Sequence, residues 1–309
     1  MNDFTKSYEA NVDQNYSELG KEKEKDPDTW GNVEYGGEIL NIYTNPRVIH
    51  DLFTIIAETC VPDKDDMFIG ADLGGAEGTV ANVVQGQLRE NGYSNAHVIN
   101  YELLEKNLAL MESKFPELLG VQADLKDLPL NGSTIDFAIL RYVLPYLDKE
   151  GQKQVIRNAY SALKERGRLV ILQDGGFKKE DGELYNQFFA ESSSAQSGIS
   201  LDQVSHNRQF ISAEEICEIA EEAGFEVEQA NDLSPIFKGC LSPEAYASRF
   251  NMTEQQMHSL QAVYKRWKES GRLEFSDNPN NPVNIRVKRP TIYLVLRKLS
   301  PRDAMNNPS

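Results

Sequence analysis

The sequence predicts an α/β fold, a doubly wound and mostly parallel sheet with helices on both faces. Three observations predict it. The run Phe68-Ile69-Gly70-Ala71-Asp72-Leu73-Gly74-Gly75-Ala76-Glu77-Gly78 reads as a strand, an acid and a turn of small residues, followed by an apolar helix over 79–88. That order is half of a βαβ unit, and nucleotide-like cofactors bind at such turns. Strand and helix patterns then alternate from Met67 to Gln173, as parallel strands joined by crossover helices require. Finally, TIYLVLR over 291–297 is the clearest β-strand of the chain.

Residues 1–44 form a polar arm dotted with aromatics, among them Phe4, Tyr8, Tyr16, Trp30 and Tyr35. The arm reads either as a frayed end or as a lid whose aromatics close over a cleft. Asn45 caps a helix with Pro46 at its first position, and Val48, Ile49, Leu52, Phe53, Ile55 and Ile56 give that helix a broad apolar face. Strands are expected over 67–72, 97–102, 118–123, 135–140 and 168–173, and helices over 79–90, 104–115 and 149–164. Gly167 is expected to stop the last of these helices. Ser212 and Glu215 have capping-box spacing for a further helix, which ends at Gly224 before a strand over 225–229. Residues 236–290 look like an insertion, with a helix capped by Thr253 and Gln256 and striped by Met257, Leu260, Tyr264 and Trp267. Together 45–235 and 291–299 make the core, and 300–309 a frayed tail.

The chain has 309 residues, 40% of them hydrophobic, enough to bury a core. Its net charge is −16, with no long basic stripe, so nucleic acids and anionic membranes are poor partners. A small molecule suits it better. No apolar stretch is long enough to span a bilayer, and nothing near Met1 reads as a signal peptide. Cys60, Cys217 and Cys240 are odd in number and far apart, as expected of reduced thiols in the cytoplasm. His50, His97 and His258 have no metal-ligand spacing to one another or to the cysteines, so no metal is expected.

The cofactor candidates are Asp72, Gly74, Gly75, Ala76 and Gly78 on the turn, then Glu102, Asp124, Leu125 and Arg141 at later strand ends. Glu102 at a strand tip suits both hydroxyls of a ribose. Asp124 suits an adenine amino group, and the Leu125 N–H a ring nitrogen. Arg141 leaves its strand over the same cleft, where it could pair with a carboxylate of a donor or an acceptor. A nicotinamide or flavin nucleotide is the rival ligand, but its pyrophosphate would meet Glu77 inside the turn.

This set resembles the class I S-adenosylmethionine-dependent methyltransferases. Asp72-Leu73-Gly74-Gly75-Ala76-Glu77-Gly78 matches their acid-x-Gly-x-Gly-x-Gly, with Ala76 in place of the middle glycine. Glu102 and Asp124 fall on the second and third acids, and Asp136 to Leu147 on the strand-four motif. Ala162-Leu163-Lys164-Glu165-Arg166-Gly167-Arg168-Leu169 is similar to Leu-Lys-Pro-Gly-Gly-x-Leu, with Glu165-Arg166 in place of Pro-Gly. The resemblance implies a seven-stranded sheet closed by a C-terminal antiparallel hairpin, with S-adenosylmethionine as cofactor and S-adenosylhomocysteine as product. The substitution at Ala76 is tolerable where that residue needs no positive φ.

Methyl transfer from a sulfonium is an in-line displacement that needs alignment more than chemistry, and some acceptors also need a base. His206, Tyr142 and Asp174 are the catalytic candidates, with Tyr146 behind them. The plainer readings are a solvated loop residue for His206, a strand cap for Asp174 and packing for the tyrosines. The expected activity is methylation of a small organic acceptor, with 236–290 and the N-terminal arm roofing the cleft. The alternatives are a protein methyltransferase and a non-catalytic S-adenosylmethionine-binding regulator.

Overall fold

The computed structural model describes residues 32–300, apart from 37, 62, 131, 205–208, 235–239, 245–246, 248–250, 279–280 and 289. Strands β1 (Asn32–Tyr35) and β2 (Glu38–Asn41) pair as a hairpin ahead of the core. Helix α1 follows over 46–58. The Asn45 side chain accepts the N–H groups of Arg47 and Val48, and Pro46 opens the helix, as the sequence predicts. A π-helical turn, His50–Thr54, interrupts it.

The core is a seven-stranded sheet in the order β5-β4-β3-β6-β7-β12-β8. Its parallel part comprises β3 (Phe68–Leu73), β4 (Ala96–Glu102), β5 (Gly120–Gln122), β6 (Ile135–Arg141) and β7 (Leu163–Asp174). At one edge β12 (Thr291–Lys298) runs antiparallel between β7 and β8 (Phe225–Asp232), the expected closing hairpin. From β3 the chain winds outward through β4 to β5, then returns to the other side of β3 as β6. That reversal opens a crevice at the carboxyl ends of β3 and β6.

Helices cover both faces. On one, α1 and α2 (Thr79–Glu90) pack with Phe68, Phe137, Ile139, Val170 and Val295. On the other, α4 (Lys149–Ala162) and α7 (Ala213–Ala223) cover Ala138, Leu140, Leu169, Ile171 and Leu294. Helix α3 (Glu105–Lys114) joins β4 to β5, and its Leu108 and Met111 are buried with α2. The Ser212–Glu215 capping box forms, and Gly224 ends α7 at φ 102.

Three expectations are corrected. Helix α4 stops at Ala162, not Lys164, and β7 begins at once with Leu163 instead of Arg168. The left-handed residue there is Arg166, at φ 64, and Gly167 is no cap. Its own need is space, since a Cβ would meet Asp136 O at 2.9 Å and Lys164 O at 3.0 Å. The third strand shrinks from 118–123 to Gly120–Gln122, an edge strand with a partner on one side only.

The sequence reading also missed helix α5 (Lys179–Ser197), which precedes the short α6 (Leu201–Val204). Helix α5 presents Tyr185, Phe188 and Phe189 to Leu260, Tyr264 and Trp267 of α8 (Glu254–Ser270), in a separate aromatic core. Phe188 meets Tyr264 edge-on at 5.1 Å and Trp267 at 5.8 Å. Such pairs add about 0.5–1.5 kcal/mol each beyond burial. The rest of the 236–290 stretch includes β9 (Cys240–Leu241), β10 (Phe275–Asn278) and β11 (Asn281–Lys288), a three-stranded sheet ordered β10-β11-β9. No helix among the described residues is long and apolar enough to cross a membrane.

Candidate functional site

The turn after β3 lies at the mouth of the crevice. The Gly74 N–H donates to Tyr101 O at 2.7 Å, tying the turn to β4, and Gly78 enters α2 with φ 74. Ala76 takes φ 49, so this position does use the left-handed region, and the condition for an unstrained substitution is not met. Two bonds hold it there. Its N–H donates to Glu102 Oε2 at 3.0 Å, and its carbonyl accepts Asn100 Nδ2 at 2.9 Å. Gly75 is fixed by close approach: a Cβ would run into Asn100 Oδ1 and the Asp72 carboxylate.

Glu102 is buried, and its second oxygen accepts the Leu104 N–H at 2.9 Å. Each carboxylate oxygen has a further lone pair to offer the cleft. Asp124 caps the short turn Leu125–Asp127 by accepting the Lys126 N–H at 2.9 Å, and its side chain is half exposed. Leu125 is buried beneath it. Glu77 stands differently from its sequence reading. Its carboxylate pairs with Lys114 of α3, so it is not a bare negative charge facing a ligand, and its argument against a dinucleotide weakens.

Asp72 and Arg141 are the unusual pair. Asp72 is 1% exposed, and neither of its carboxylate oxygens has a well-formed hydrogen bond among the described residues. Burial pushes its pKa up to about 6, against the opposing pull of the Arg141 charge. Arg141 Nε and Nη1 are likewise buried and unbonded. Its guanidinium lies over the Tyr43 ring, 5.4 Å from the centroid, and Tyr43 meets Tyr142 edge-on at 5.2 Å. Tyr142 is itself left-handed at φ 56, the kind of strain that collects at ligand sites.

Asp174 ends β7, nearly buried and in register with Thr291. Tyr146 closes the turn Leu144–Tyr146 after β6. His206 lies outside the described residues. Its neighbour Gln209 donates its N–H to Pro145 O at 2.8 Å, and one Gln152 amide nitrogen bridges Leu144 O, Leu147 O and Gln209 O at 3.0, 3.2 and 2.8 Å. The loop after β6 and the segment at 209–211 are thereby held as one wall. Sequence reasoning missed Asn100 and Tyr43. Asn100, two residues before Glu102 and hence on the same face of β4, was the one available signal.

A family model described as a methyltransferase domain matches residues 56–230. The chain belongs to this family. Its fold is that of the class I, S-adenosylmethionine-dependent methyltransferases. A candidate methyltransferase from Bacillus halodurans C-125 superposes with a TM-score of 0.59 at 17% identity, over 76% of this chain and 94% of that one. The YcgJ protein of Bacillus subtilis gives 0.56 at 13%, over 76% and 93%. The [4+2]-cyclase SpnF gives 0.54 at 13%, over 88% of each chain. At these identities the likeness speaks for the fold. No curated protein matches the sequence.

Proposed function

We propose that this methyltransferase carries the methyl group of S-adenosylmethionine to a small organic acceptor at the crevice beside β3 and β6. The carrying observation is the buried, unbonded pair Asp72 and Arg141. Buried polar groups without partners are rare and expensive, and a zwitterionic ligand end would satisfy both. The donor supplies a methyl group already activated on a positively charged sulfur.

The chain's own part is binding, orientation and exclusion of water. Arg141 receives a carboxylate and Asp72 supplies the opposite charge. Glu102 keeps lone pairs for two ribose hydroxyls, and Asp124 with the Leu125 N–H faces the base. Gly74, Gly75, Ala76 and Gly78 form the close-fitting floor. The acceptor side is walled by Tyr142, Tyr146 and the segment fixed by Gln152, with Asp174 at its far edge. Either Asp174 or His206 is our choice for any base an acceptor needs. The hairpin β1–β2 with Tyr43 serves as the lid, and α5 with 236–290 as the cap.

The alternative reading is a protein that binds S-adenosylmethionine without transferring its methyl group. Transfer must therefore be measured as well as binding. Calorimetry should show saturable binding of S-adenosylmethionine and S-adenosylhomocysteine. Glu102→Ala and Arg141→Met should each weaken it about 10–100-fold, the size of a lost charged hydrogen bond. A methyl-labelled donor incubated with small-metabolite extracts should label a low-mass product. No binding to the folded protein would remove the proposal, and binding without label transfer to any acceptor would favour the second reading.

A further inference from the structure

Beneath the glycine turn lie three buried oxygens without a hydrogen-bond donor among the described residues. They are Asp72 Oδ1, Asp72 Oδ2 and Asn100 Oδ1, on residues 1% and 0% exposed. A single Cβ added at Gly75 would lie 2.5 Å from Asp72 Oδ2 and closer still to Asn100 Oδ1, so both atoms border one small space, and their residues are in register on β3 and β4. The orientation of Asn100 is fixed by its other end. Its Nδ2 donates to Ala76 O at 2.9 Å and touches Met111 Sδ at 3.4 Å. Turning the amide over would set Oδ1 against the Ala76 carbonyl, acceptor against acceptor.

Among the described residues the surroundings offer this spot only one weak donor. From α2, the Ala81 N–H is directed at Asp72 and draws its pKa down, short of a well-formed hydrogen bond. From β4, Glu102 adds a second negative charge and is occupied with two backbone N–H groups. From β6, Arg141 attracts Asp72 but makes no ion pair with it. In the turn, Glu77 is paired with Lys114. A carboxylate left so would be a buried charge with at most one weak donor, which proteins relieve by taking up a proton.

We propose that Asn100 is a positioning residue of the donor site: on the acid side of neutrality, Asp72 without the donor is a carboxylic acid whose O–H is donated to Asn100 Oδ1, and binding of the positively charged donor expels that proton to solvent. The inference rests on the reading of the crevice as an S-adenosylmethionine site. It balances simply, since one O–H bond of Asp72 breaks, the proton passes to water or buffer, and the donor's positive charge replaces it. Burial, which raises the Asp72 pKa to about 6, places the exchange just below neutral pH. Asn100 then does two things with one amide. It holds the Ala76 carbonyl in the turn and keeps the acid form of Asp72 in place until the ligand arrives.

The test is calorimetric titration of the full chain with S-adenosylmethionine, repeated in buffers of different ionisation enthalpy. Near pH 5, binding should release close to one proton. Affinity should fall about tenfold per pH unit below 6 and level off above it. Asp72→Asn is near-isosteric, and it should bind more weakly with no proton release and a flat pH profile. Asn100→Ala removes the acceptor and admits water, so its midpoint should move to lower pH. A merely structural role for Asn100 would weaken binding at every pH and leave the midpoint in place. Infrared difference spectra at pH 5 should show a carboxylic-acid carbonyl band that disappears on binding and is absent from Asp72→Asn. Binding of the donor with no proton release and a flat profile from pH 5 to 7.5 would overturn the proposal. No binding at any pH would remove the donor reading, and this proposal with it.

Discussion

Ala76 holds a left-handed backbone, φ 49, where a glycine would be unstrained. An L-residue in that region costs about 1–2 kcal/mol. The Glu102 and Asn100 bonds to its N–H and carbonyl keep it there. Ala76→Gly removes the strain but loosens the unfolded chain, which offsets part of the gain. The net expectation is about 0.5–1 kcal/mol of added stability by denaturant titration, with donor affinity unchanged, because the bonds to the backbone survive. Gly75→Ala goes the other way. Its methyl group enters the small space bordered by Asn100 Oδ1 and Asp72, so both the turn and donor binding should be lost. The two substitutions look alike in the sequence. They differ because φ governs one position and neighbouring oxygens govern the other.

At the scale of elements, irregular turns carry specific side-chain duties. The π turn His50–Thr54 disturbs the hydrogen-bond ladder of α1, and Tyr293 of β12 donates its hydroxyl to Leu52 O at 2.8 Å in the buried interior. Tyr293→Phe leaves that carbonyl without its donor and should cost about 1–3 kcal/mol in thermal or chemical denaturation. A second irregularity lies at the start of β7, where Leu163 pairs with Ile135 but Arg168 already pairs with Phe137. The extra residues form a bulge, pinned by Lys164 on Asp136 at 2.9 Å. The family-like stretch Glu165-Arg166-Gly167 sits inside it, and its glycine was read as a helix cap. That reading failed because local sequence marks a turn here without saying which residue turns. Strands, most helices and all the predicted caps except Gly167 were legible, since they depend on periodicity and on neighbours three or four residues away. Helix α5 was not. Its Gly182 and its four serines hide an aromatic stripe whose partners in α8 lie some seventy residues further along the chain.

For the whole molecule, acids and glycines in register foretold which residues gather at the crevice beside β3 and β6. The electrostatics of the crevice were not legible, because burial and pairing are set by distant elements. Lys114 of α3 neutralises Glu77, and Arg141 of β6 faces Asp72 without bonding it. Asp72 therefore weighs on the stability of the entire fold. Its pKa is about 6 when folded and 3.8 without the protein around it. Below about pH 4 the carboxyl is protonated in both states and contributes nothing. As pH rises the unfolded chain gives up the proton first, so folding grows less favourable until about pH 6, where both states are ionised. Above that the native state carries the full penalty, up to about 3 kcal/mol. Asp72→Asn lacks the charge in both states. Its stability gain over the natural protein should approach that figure at pH 8 and vanish near pH 4, the attraction of Arg141 being already contained in the Asp72 pKa. The same variant should bind the donor more weakly, a stability gain made at the expense of function. Denaturant titrations of both proteins at the two pH values decide it. An equal gain at pH 4 and pH 8 would mean that the strain at Asp72 is one of packing and not of charge.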